Sequence, residues 1–187
     1  MKNILITGGA GYIGSMLATK LVNLNFNVTV IDILKFSKSS LNHLFCKKNF
    51  NFIKANIRDK KLMKKLIEKN EFIIPLAALV GAPLCENNKN EAIAVNLDSI
   101  KFLIKNAKQK NKVIYLTTNS GYGVGEKNKF CDESSPLKPI SLYGRTKVEA
   151  EKEVLKFKNS ICFRLATVFG YSYRMRTDLL VNNFVYN

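Results

Sequence analysis

The 187-residue sequence predicts a doubly wound α/β domain, a mostly parallel sheet with helices on both faces. Three observations predict it. Short apolar runs alternate with segments of helical spacing, a glycine cluster closes the first run, and an acid, Asp32, closes the second. The length fits one domain with one sizeable core.

The first run, Asn3 to Thr7, ends in glycines and reads as a buried parallel strand. A helix over Tyr12–Asn23 follows, its apolar positions Ile13, Leu17 and Leu21 lying four apart. Further strands are expected at Val28–Ile33, Phe50–Lys54, Phe72–Ala77, Val113–Thr117 and Ile161–Leu165. Helices are expected at Lys60–Glu68, Glu91–Lys108 and Leu142–Lys156. The segments Gly81–Asn90 and Gly121–Pro139 read as longer loops at the carboxyl ends of strands, where such sheets bind ligands.

Composition narrows the function classes. A chain that is 47% hydrophobic and 24% charged, with 10 Gly and 4 Pro, is an ordinary globular protein. The apolar run Ile4-Leu5-Ile6 gives way at once to glycine, so no signal peptide or membrane span is expected and the cytoplasm is the default address. Cys46, Cys85, Cys131 and Cys162 lack metal-site spacing and read as reduced thiols, with no metal expected. The net charge of +16 is spread through helical segments such as Lys60–Lys65, which speaks for solvated faces and against a nucleic-acid footprint. The single histidine, His43, reads as packed or solvated.

Thr7–Gly14 reads TGGAGYIG at a strand-to-helix turn. Gly8 permits the tight turn, Gly11 lets backbone approach a pyrophosphate, and Gly14 lets the helix pack against the sheet. Tyr12 and Ile13 open the helix, whose first N–H groups suit phosphate. Asp32 follows about 20 residues on, placed to accept from adenosine ribose hydroxyls, which favours NAD over NADP. Lys35 and Lys38 lie nearby and work against that discrimination.

Tyr143 and Lys147 form a YxxxK that puts phenol and ammonium one helical turn apart. A neighbouring cation makes a phenol a better base near neutral pH. Thr118 ends an apolar strand, where its hydroxyl can orient a substrate oxygen.

With TGGAGYIG, Asp32, Thr118, Tyr143 and Lys147 in this order, the chain resembles the extended short-chain dehydrogenase/reductase family, in its nucleotide-sugar epimerase and dehydratase branch. The resemblance implies an NAD(P)-binding Rossmann fold, with Tyr143 as acid/base and Lys147 lowering its pKa and holding the nicotinamide ribose. It implies Thr118 on the reacting oxygen, Ala77 and Ala78 as small residues beside the cofactor, and Asn96 as a structural or cofactor-side asparagine. Asn56-Ile57-Arg58-Asp59 resembles the adenine-side segment, with Asn56 replacing an acid, and Pro75 replaces a frequent histidine. The resemblance places Thr167 where the family begins to line the sugar pocket, and residues 166–187, with Arg174, Arg176, Asn182 and Asn183, where its substrate-binding region starts. Solvated surface explains those four equally well.

Dehydratases of the family carry Asp and Glu after the Thr118 position, where this chain has Asn119 and Ser120. The resemblance therefore implies epimerisation of a nucleotide sugar through a transient keto-sugar. A reductase, dehydrogenase or dehydratase, or a dinucleotide-binding module without catalysis, remains the alternative. The resemblance also implies a homodimer paired through a helix bundle that includes the Tyr–Lys helix.

Overall fold

The computed structural model describes residues 1–125 and 130–187. Six parallel strands, β1 Asn3–Thr7, β2 Asn27–Asp32, β3 Phe50–Lys54, β4 Phe72–Pro75, β5 Lys112–Thr118 and β6 Ser160–Leu165, lie in the order β3-β2-β1-β4-β5-β6. The order reverses between β1 and β4. Connections leave that boundary on opposite faces, so a crevice opens at the strands' carboxyl ends.

Alternation along the strands divides the core into two layers. Leu5, Ile31, Ile73, Val113 and Tyr115 face α2 (Lys60–Lys69), α5 (Ser99–Asn106) and α6 (Leu142–Leu155). On the other side, Ile4, Ile6, Val28, Val30 and Ile74 pack against Ala18 and Val22 of α1 (Tyr12–Asn23) and against Leu41 and Leu44.

The differences from expectation have local causes. β4 stops at Pro75, two residues early, because proline brings no N–H to the ladder. The segment expected as loop, Gly81–Asn90, contains α3 (Ala82–Asn87), whose Pro83 falls in the first turn where a missing N–H costs nothing. The long helix expected from Glu91 starts earlier, as α4 (Lys89–Ile93), and passes through a π-helical turn, Ala94–Asp98, before α5. That turn carries Asn96 inward. Of the expected loop Gly121–Pro139, residues 126–129 lie outside the described part. Beyond β6 the chain forms α7 (Leu180–Tyr186).

Candidate active site

The glycine turn sits at the switch point. Gly8 has φ +70°, and a Cβ there would lie 2.5 Å from the Ala77 amide nitrogen, so β1 and β4 can diverge only around glycine. A Cβ on Gly14 would lie 2.5 Å from the Gly8 carbonyl oxygen, which is why α1 can start so close to the turn. Gly11 meets only that same oxygen, at 3.1 Å. A Cβ on Gly9 would likewise lie 2.6 Å from the Val30 side chain.

A cavity of about 890 Å³ opens beside this turn. Gly8, Gly11, Tyr12, Ile13 and Gly14 line it at one point, Asp32, Asn56 and Ile57 at a second, and Ala77 and Ala78 between them. Asp32 also organises the turn: its two oxygens accept from the Ala10 amide at 3.0 Å and the Leu34 amide at 2.7 Å. Each oxygen keeps lone-pair capacity for a ribose hydroxyl. Asn56 accepts from the backbone and side chain of Arg58, at 2.9 and 3.3 Å, so its carbonyl is already engaged. Lys35 pairs with Glu91 at 3.1 Å and is thereby drawn away from any 2′-phosphate.

Asn96 takes the structural of the two places that the resemblance implies. It is 1% exposed and absent from the cavity wall. Its amide accepts from the Leu79 N–H at 2.8 Å and donates to the Leu79 carbonyl at 2.9 Å, holding the loop that follows β4. It holds the wall of the cavity from behind.

The catalytic candidates converge on the other end of the cavity. Thr118, at the end of β5, accepts from the Ser120 amide at 3.1 Å and bonds the Ser120 hydroxyl at 3.1 Å. Ser141 caps α6 by accepting from the Gly144 amide at 3.0 Å, which fixes Tyr143 in the first turn. Burial and the Cys85 thiol push the Tyr143 phenol above its ordinary pKa, while a hydrogen bond with Thr118 and the charge of Arg176 pull it back.

Lys147 is 5% exposed and donates to the Leu116 carbonyl at 2.7 Å, its Nζ lying 4.0 Å over the Tyr115 ring. A buried ammonium must find acceptors, and here the sheet supplies one. Burial lowers its pKa to about 7. In this arrangement the cation acting on the phenol is Arg176. Thr117 lines the same cavity with a buried hydroxyl that has no partner among the described residues. Such a group suits a polar ligand.

Residues 166–178 close one side of the cavity, with Ala166, Thr167, Arg174, Arg176 and Asp178 in its wall. This strap is fastened to α1. The buried Ser172 donates to the Tyr12 carbonyl at 2.7 Å and meets Ser15 at 3.1 Å; Asn182, also buried, bonds the Tyr12 hydroxyl at 3.0 Å and the Gly170 amide at 2.8 Å. Tyr173 stacks on His43 with centroids 3.9 Å apart. Arg174 and Arg176 thus leave the solvated surface for the cavity, whereas Asn183 is exposed and bonds only locally, to the Thr177 carbonyl. No periodicity marks such a strap, because it is held by side chains more than 150 positions away in sequence.

The model of the NAD dependent epimerase/dehydratase family matches residues 4–186. The chain belongs to that family. It is 37% identical over 125 residues, 66% of its own length and 39% of the relative's, to the UDP-N-acetyl-alpha-D-glucosaminuronate decarboxylase of Bacillus cytotoxicus. It is 32% identical over 190 residues, 90% of this chain and 42% of the relative, to the dTDP-D-glucose 4,6-dehydratase of Dictyostelium discoideum. The crystal structure of UDP-glucuronic acid 4-epimerase from Bacillus cereus, in complex with UDP-glucuronic acid and NAD, superposes with a TM-score of 0.84 at 27% identity, covering 96% of this chain and 60% of that one. This member of the NAD dependent epimerase/dehydratase family spans only about half the length of such relatives. Among its described residues no helix is long and apolar enough to cross a membrane, and no cluster of His, Cys, Asp or Glu could hold a metal ion.

The residues fit the family's dinucleotide. The glycines leave the backbone bare where a pyrophosphate must approach, the 12-residue α1 starts there, and Asp32 lines the same cavity. The orphan Thr117 hydroxyl lies in the same cavity.

Proposed function

We propose that this chain carries out the redox half of a nucleotide-sugar 4-epimerase-type reaction, in which a sugar hydroxyl is oxidised to a ketone and reduced again from the opposite face. NAD, when bound, takes up and returns the hydride; the rest is done by side chains. Tyr143 holds and moves the proton of the reacting hydroxyl, Thr118 aligns that oxygen, and Lys147, one turn along α6 in the same cavity wall, would hold the nicotinamide ribose. Residues 166–187 begin the part that receives the sugar nucleotide.

One observation favours epimerisation within the family. Every carboxylate in the described cavity wall is already engaged: Asp32 by two backbone amides, Glu91 by Lys35, Asp178 by Arg176. Beside Thr118 stand Asn119 and Ser120, neither of which can take a carbon-bound proton or protonate a leaving hydroxyl as a carboxyl group can. Elimination of water therefore lacks its acid and base.

The test is product analysis by NMR after incubation with NAD and a panel of UDP- and dTDP-sugars. An epimer formed without net NADH supports the reading. A 6-deoxy-keto sugar, released carbon dioxide, or stoichiometric NADH would replace it with dehydratase, decarboxylase or dehydrogenase chemistry respectively.

A further inference from the structure

We propose that Arg174 is an anion clamp built into the strap, gripping a diphosphate in the cavity it lines; the identity of the sugar-side diphosphate rests on the reading above. Arg174 is half-buried in the cavity wall, yet no described carboxylate pairs with it. Its neighbour Arg176 is different, because Asp178 engages it through a two-pronged fork. Burial and the like charge of Arg176 both act against the charged form of Arg174. A guanidinium does not give up its proton in a protein, so Arg174 stays a cation with only the unbonded charge of Asp178 in its favour, and an incoming anion would relieve it.

The surroundings hold that cation in place. The Arg174 amide donates to the hydroxyl of Ser172 at 3.2 Å, and Ser172 is the buried residue that fastens the strap to the first residue of α1. The guanidinium carbon lies 5.1 Å from the centroid of Phe36, which stands four positions past Asp32 on the adenosine side. The platform is aromatic, so the guanidinium has a ring face to lie against. Beside the start of α1 a diphosphate is the anion that the glycine turn calls for. Two are available, that of the dinucleotide and that of a nucleotide sugar.

The experiment is calorimetric titration of the 187-residue protein and its Arg174→Gln and Arg174→Lys variants with NAD, UDP, adenosine and uridine, with thermal melts alongside. Loss of a charged hydrogen-bonding group predicts about tenfold or greater weakening in Arg174→Gln. Weakened NAD with unchanged UDP assigns the clamp to the cofactor, and the reverse assigns it to the substrate. Adenosine and uridine, lacking phosphate, are expected to bind all three proteins alike. Arg174→Lys keeps the charge and the packing stem and is expected to fall in between, which separates clamping from misfolding. Wild-type affinity of Arg174→Gln for every diphosphate that the protein binds overturns the proposal while leaving the epimerase reading intact. Failure of the wild-type protein to bind either NAD or UDP overturns both.

Discussion

At the scale of single residues, Lys147 links the site to pH. Its folded pKa is about 7 against an ordinary 10.5, so between those values the unfolded chain binds a proton that the folded chain does not. Stability must then rise with pH across that window, by at most roughly 5 kcal/mol for this group. Denaturant titrations at several pH values are expected to show that rise in the cofactor-free protein and a flatter profile in Lys147→Met; equal slopes would show that the buried ammonium is not titrating. Tyr143 makes the complementary case. Tyr143→Phe removes the proton carrier and keeps the ring, so turnover is expected to fall about 10²–10⁴-fold with NAD affinity retained. Turnover near the wild-type rate would move the acid/base role elsewhere. These two residues were legible in the sequence because YxxxK is local. Their electrostatic surroundings were not, since Arg176 reaches the phenol from a strap more than 30 positions away.

Among the elements, the junctions carry the risk. The glycine turn tolerates no side chain at Gly14, where the clash is with backbone, so Gly14→Ala is expected to cost about 1–3 kcal/mol and to weaken NAD binding. Unchanged melting would mean that α1 can shift outward. Between α6 and β6, Glu151 is buried against Arg164, with bonds of 2.7 and 2.9 Å. Removing one partner leaves a buried charge alone, so Glu151→Ala is expected to lose about 3–5 kcal/mol in urea unfolding. The double variant Glu151→Met, Arg164→Met is expected to recover much of it, and failure to recover would assign the pair a role in placing Tyr122, which Arg164 also contacts at 3.1 Å. The regular elements were readable from periodicity alone. α3 and the π turn were not: Gly81–Asn90 reads as a loop at the carboxyl end of a strand although Pro83 suits the first turn of a helix, and the π turn, which carries Asn96 inward, interrupts the helical period.

For the whole molecule, the question is what the incompletely covered side of the sheet does. Ile161 and Phe163 pair with Ile114 and Leu116 on the α1 face, and both are about half exposed, at 48% and 45%, on the edge strand β6. Leu180, Phe184, Val185 and Tyr186 of α7 are also exposed. The outward side of α6, by contrast, carries Glu149, Lys152, Glu153 and Lys156, with two ion pairs at 2.8 Å. The resemblance implies pairing through that helix; β6 and α7 offer another exposed apolar surface, and an apolar edge strand is a template for association. The 187-residue chain is therefore expected to self-associate as its concentration rises, through β6 and α7. In sedimentation velocity, Phe163→Lys with Phe184→Lys should restore the monomer without lowering the melting temperature, because neither side chain is buried, while Leu155→Lys at the end of α6 should leave the association unchanged. Dissociation by Leu155→Lys alone would place the contact on the helix that carries Tyr143 and Lys147, and the exposed sheet face would then need no partner of its own kind.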